Sequence, residues 1–129
     1  MKTKLFFAGA FATVAAISFY AFKPATSASC SYMEITTVES IIPGGLGRSK
    51  MLITDESGKT SDAKIENLYS MVGINFGNIQ SNDGAVVNKL NSLAQQGWVL
   101  DHTTTGVQTP TEKSSEGIFL TRYFLKKQN

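Results

Sequence analysis

Residues 83–107 read DGAVVNKLNSLAQQGWVLDHTTTGV, and this stretch decides the fold. Val86, Leu90, Leu93, Ala94 and Gly97 recur at i, i+4, i+7, i+8 and i+11, the stripe that an α-helix lays against a core. Ser81, Asn82 and Asp83 are N-cap residue types, so a helix is predicted from about Asp83 to Gln96. Gly97 stands where a helix ends on a left-handed residue, a conformation that glycine adopts without a Cβ clash. Turned off the helix at that point, Trp98 swings beneath it, which predicts a buried indole at the centre of the core rather than an exposed, ligand-stacking ring. Trp98 to Val107 then reads as a strand. Alternation places Trp98, Leu100 and His102 on one face and Asp101 on the other, which argues against an Asp101–His102 relay.

Working outward, Tyr32 to Ile42 is rich in Ile, Thr and Val and is closed by Pro43-Gly44-Gly45, so it reads as a first strand. Ser49 to Thr54 is a second, ended by the turn signal Asp55-Glu56-Ser57-Gly58. Gly117 to Lys127 is a final strand with apolar residues on both faces, as expected of a strand inside a sheet. Residues 61–79 carry mixed signals: Ile65, Leu68, Tyr69 and Val72 have helical spacing, while Gly73, Ile74, Phe76 and Gly77 look extended or irregular. They are expected to form a hairpin return or a short helix. The pattern is an α+β fold, a small antiparallel sheet of about four to five strands with one main helix packed on one face.

The first 28 residues have a different logic. Lys2 and Lys4 precede an uncharged run from Leu5 to Phe22, and Lys23-Pro24 closes it before Ala25-Thr26-Ser27-Ala28. That is the order of a secretory signal, with cleavage expected between Ala28 and Ser29 and residues 29–129 left as one small domain. A membrane span wants about 20 apolar residues, so a retained anchor fits this diluted run less well. Cys30 raises a lipoprotein as a further possibility, but a lipidated cysteine normally follows its apolar run directly, with a Leu-like residue three places before it, where Ser27 stands here. As the only cysteine, it allows no intramolecular disulfide.

Charge follows from processing. Three of the twelve basic residues (Lys2, Lys4, Lys23) lie in the leader, so nine Lys and Arg face ten Asp and Glu in residues 29–129, a net charge of −1. The overall charge of +2 therefore gives no reason to expect a nucleic-acid partner.

The run Leu90-Asn91-Ser92-Leu93-Ala94-Gln95-Gln96-Gly97-Trp98-Val99-Leu100, followed by a variable loop and Phe119-Leu120-Thr121-Arg122-Tyr123, resembles the small bacterial domain of unknown function numbered 4177. A helix ending in Leu-Asn, a Gly-Trp step and a closing strand with an arginine are typical of that family. Asn91, Gly97, Trp98 and Arg122 are the positions carrying the likeness. The whole arrangement also looks like small exported proteins of Bacteroidota. The resemblance implies a fold, and it brings no activity.

Motifs that carry chemistry are few. Gly58-Lys59-Thr60 ends like a phosphate-binding loop, but the first glycine of that motif would fall at Ile53, so it reads as a hairpin turn. Between Gly44 and Lys50, amides freed by Gly45 and Gly47 beside Arg48 and Lys50 could hold an anion, or the segment is a plain connection with solvated charges. His102 has no companion ligands at metal spacing, and no serine sits in a nucleophile elbow; no metal or cofactor is expected. Asn91 is either solvated or satisfies loop backbone groups. Arg122 is expected to pair with a carboxylate such as Asp101 or Glu34. Two functional readings result. The favoured one is a non-enzymatic module of the cell envelope, periplasmic or secreted, that binds a protein or small ligand through a sheet edge or the polar loop 107–116. The alternative is a small hydrolase or anion-binding enzyme that brings the Gly44 to Lys50 loop to His102. A membrane partner enters only if the leader is retained or Cys30 is lipidated, and oligomeric state is left open.

Overall fold

The computed structural model describes residues 29–42, 47–111 and 117–129. The leader with Ala28, the glycines Gly44 and Gly45 of the candidate anion loop, and residues 112–116 of the polar loop lie outside the described residues. Among the described residues, seven strands and one helix follow in the order β1 (Cys30–Ser40), β2 (Lys50–Thr54), β3 (Thr60–Lys64), β4 (Tyr69–Ser70), β5 (Gly73–Ile74), α1 (Phe76–Ala94), β6 (Val99–Gln108) and β7 (Ile118–Gln128). Five of the strands form one antiparallel sheet in the order β3-β2-β1-β7-β6, and β4 pairs with β5 in a small separate hairpin. The fold is thus a small α+β one, with β7 inside the sheet as its two-sided apolar pattern predicts.

Register fixes two sheet faces. Met33, Ile35 and Thr37 of β1 stand opposite Leu125, Tyr123 and Thr121 of β7, and Ile35 and Thr37 stand opposite Ile53 and Met51 of β2. This is the helix-side face. Its centre is the cluster Met33, Ile35, Met51, Ile65, Leu93, Trp98 and Leu125, with Ala85, Val86 and Leu90 of α1 packed on it. Side chains of this size gain roughly 1.5–3 kcal/mol each when fully buried, which is the main force holding α1 to the sheet. The other face carries Glu34, Thr36 and Val38 with Phe124, Arg122 and Leu120. None of the described helix packs there, since α1 joins the core of the first face.

The helix end is as its sequence predicts. Gly97 has φ +87°, and paired bonds from Gly97 N–H to the Ala94 carbonyl (3.0 Å) and Trp98 N–H to the Leu93 carbonyl (3.1 Å) close the last turn. Trp98 is 7% exposed, with Lys127 Nζ 5.7 Å from the ring centroid.

The helix start differs from the expected Asp83. It begins two turns earlier at Phe76, and the cap is Asn75, whose side-chain oxygen accepts from the Asn78 N–H. Those two turns hold Gly77, Asn78, Gln80, Ser81 and Asn82, so no apolar stripe marks them. Asn82 is therefore inside the helix rather than capping it, and at 2% exposure it is buried. Its Nδ2 donates to the Glu66 carbonyl (2.8 Å) and to Glu39 Oε1 (2.9 Å), and its Oδ1 accepts from the Glu66 N–H (2.8 Å). One amide thereby ties α1 to the chain leaving β3 and to the end of β1. The mixed signals of 61–79 resolve into most of β3, the β4–β5 hairpin and the first turn of α1.

Candidate functional site

β6 contains the irregularity that shapes the site. Leu100 stands opposite Leu125 and His102 opposite Phe124, so Asp101 is one residue too many on its strand, a β-bulge. Past it, the alternation of β6 is reversed: Leu100, Thr103, Thr105 and Val107 share the helix-side face, and His102, Thr104 and Gly106 share the open one. Two expectations are corrected here. Trp98, Leu100 and His102 do not share a face, and Asp101 and His102 are not on opposite faces. Strict alternation holds only where residues pair one to one, and the bulge breaks that count.

The bulge gathers charge on the open face. Asp101 bonds Lys126 Nζ through one carboxylate oxygen and His102 Nδ1 through the other, the latter at 3.0 Å. His102 stacks on Phe124, ring centroids 4.5 Å apart and planes within 16°. On the next strand Glu34 receives Arg122 Nε at 3.3 Å and the Thr36 hydroxyl at 2.7 Å. Arg122 thus pairs with Glu34, one of its two expected partners, while Lys126 takes Asp101. The Lys126 ammonium first, and His102 second, hold the Asp101 carboxyl below its ordinary value, and the same contact raises Lys126 above its own. An open hollow of about 360 Å³, lined by Gly97, Val99, Lys126 and Gln128, adjoins the cluster. Acidic, basic and aromatic groups, each held by a neighbour, offer a partner hydrogen bonds of fixed direction together with a ring to lie against.

The other predicted positions lie elsewhere. Arg48 is exposed, and Lys50 is exposed and bonded to Asp62 at 2.7 Å. Lys50 faces Val38, which faces Leu120 and then Gly106, so it is four residues along and three strands across from His102. At about 3.3 Å per residue and 4.8 Å per strand this is roughly 20 Å, and the loop cations and His102 do not share a cleft. Gly47 has a packing reason: a Cβ there would lie 2.2 Å from Ser40 Oγ. The Ser49 amide beside it is bonded to Asn67 Oδ1. Gly58 has φ +81° in a turn closed by Asp55, a hairpin as predicted. Asn91 is exposed on α1. Cys30 starts β1 opposite Gln128 and is half-buried, and Ser29 joins the same ladder through its carbonyl, which accepts the Asn129 N–H.

Lys126, Phe124 and the bulged Asp101 escape a reading by periodicity, because the register between β6 and β7 brings them together. The signal that does exist is the pair of polar residues Asp101-His102 directly after Leu100, which interrupts the alternation. Among the described residues no group of three or more His, Cys, Asp or Glu could hold a metal ion, and no helix is long and apolar enough to cross a membrane. No protein family, curated protein or solved structure matches the chain.

Proposed function

We propose that this chain is an exported, non-enzymatic interaction module of the cell envelope, and that a partner docks on the open sheet face at the β6 bulge. One observation carries the reading: the bulge turns His102 onto the open face, where Asp101, Lys126, Phe124, Arg122 and Glu34 stand, and no described helix covers that face. Bulges commonly re-aim a side chain beside a binding site, at some cost to the regularity of the ladder. Phe124 and His102 supply the stacking surface of an interface centre, and the surrounding ion pairs supply a polar rim. The resemblance to the domain of unknown function 4177 is part of the same proposal, and so is export.

Release after Ala28 is the processing that suits the fold. Ser29 accepts a backbone bond from Asn129 and its hydroxyl accepts one from the Asn129 side chain at 3.0 Å. Lipidation at Cys30 would remove Ser29 and fasten the sheet to the membrane with no spacer.

A photo-cross-linking amino acid at Thr104, on the open face two residues from His102, tests the docking surface in cells that make the protein. Ser61 on β3 is the control position. The proposal expects an adduct with another envelope component from position 104 and none from 61. No adduct at 104, or equal adducts at both, would remove it.

A further inference from the structure

The two edges of the five-stranded sheet are unlike. β3 is five residues long, and its Asp62 and Lys64 are engaged in ion pairs with Lys50 and Glu66, at 2.7 and 3.1 Å. Short length and charge are the usual means of keeping a sheet edge from pairing with another chain. β6 is ten residues long, and every one of its residues is exposed. From Thr103 to Gln108 it bears no charge, and no proline interrupts it. On the helix side, Leu100, Val107 and the neighbouring Phe119 are 46%, 55% and 39% exposed, an apolar margin outside the core on which α1 packs.

We propose that β6 pairs antiparallel with β6 of a second copy of this chain, about a two-fold axis passing through Thr105. The choice of occupant comes from the strand's own chemistry. In that register Thr105 opposes its own counterpart and Thr103 opposes Val107 on the helix-side face. Thr104 opposes Gly106, and His102 opposes Gln108, on the open face. No like charges meet, and Thr–Thr and Thr–Val are favourable cross-strand pairs. The same operation on β3 would centre on Asp62 and set the two carboxylates against each other. An antiparallel pair of edges also keeps both helices on one side of a continuous ten-stranded sheet. Leu100, Val107 and Phe119 of both copies then line the floor between the helices. The interface is isologous, so it closes at two copies instead of growing into a fibre. It leaves the open-face cluster at the bulge uncovered, so it stands independently of the docking surface proposed above.

The axis position allows a direct test in the full-length chain. A residue on a two-fold axis meets itself at a Cα separation of about 4.5–5.5 Å, within disulfide reach. With Cys30→Ser removing the native thiol, Thr105→Cys is expected to give a covalent dimer on copper-phenanthroline oxidation, read on a non-reducing gel, while Ser61→Cys on β3 stays monomeric. Thr105→Lys and Thr105→Glu should each weaken self-association at least about tenfold in sedimentation, and mixing the two should restore it. Both substitutions fall on an exposed strand position, so an unchanged far-ultraviolet spectrum is expected for each. A wild-type chain that sediments as a monomer at all concentrations, equal trapping at 61 and 105, or a dimer indifferent to both charges would overturn the proposal. The outcome leaves the cross-linking result at Thr104 with other envelope components untouched, so the two proposals fail separately.

Discussion

Asp101 shows how much one inserted residue decides. Without the bulge, alternation from Leu100 would leave Asp101 on the open face and turn His102 to the helix side, so Asp101 would keep Lys126 and lose His102. Because Lys126 is the main cause of its lowered pKa, Lys126→Met is expected to return the Asp101 carboxyl toward 3.8, measured by carbon-detected NMR titration. The sign of the linkage follows: a depressed folded value stabilises the fold above the unfolded pKa, and that contribution is lost as pH falls through the folded one. Tyr123 behaves oppositely. Burial first, then the charges of Glu39 and Asp83, raise its pKa above 10.0. Its contribution is fully present below the ordinary tyrosine value and is lost as pH rises through the folded one. Glu39→Gln should bring the phenolate transition at Tyr123 downward in an ultraviolet absorbance titration. Asn82 is the residue with most to lose. Asn82→Ala leaves the Glu66 backbone groups and Glu39 without their partner in a buried place, a cost of about 2–4 kcal/mol in denaturant unfolding. An unchanged midpoint would contradict the clamp.

At the scale of elements, the helix and its exit were readable because they rest on local rules. The i, i+4, i+7 stripe needs only the chain's own neighbours, and Gly97 needs only its φ of +87°. Gly97→Ala places a Cβ in the left-handed region and is expected to cost about 1–2 kcal/mol, measurable in the same unfolding experiment. Four of the five sheet strands, β1, β2, β6 and β7, were readable for similar reasons, to within about two residues at each end, whereas β3 fell in the mixed signals of 61–79. What local pattern could not supply depends on partners distant in sequence. The first two turns of α1 are polar because Asn78 and Asn82 bond the 66–67 backbone. A polar residue at 82, four before Val86 on the stripe, was the available hint. The bulge is likewise a property of the β6–β7 pair. The β4–β5 hairpin carries Met71 and Val72 at 89% and 96% exposure, which no burial rule anticipates. Met71→Ser and Val72→Ser should shift the melting midpoint little, within about 0.5 kcal/mol.

For the whole molecule, the antiparallel sheet, the helix packed on it and the buried Trp98 form a frame in which the described residues leave one face and one edge uncovered. Fold class was legible because hydrophobic periodicity reports which faces are covered. The candidate site was legible only in part: Arg122 with Glu34 was anticipated, whereas the Gly44 to Lys50 loop and His102, considered together from sequence, are roughly 20 Å apart by register. Such a frame suits a protein whose work is to be held by something else. The claim is tested most directly by NMR of the isotopically labelled chain mixed with solubilised envelope from the cells that make it. Docking at the bulge predicts amide shifts and broadening concentrated in residues 101–106 and 122–126. Changes confined to β3 or the 69–74 hairpin, or a spectrum identical to that of the chain alone, would contradict it.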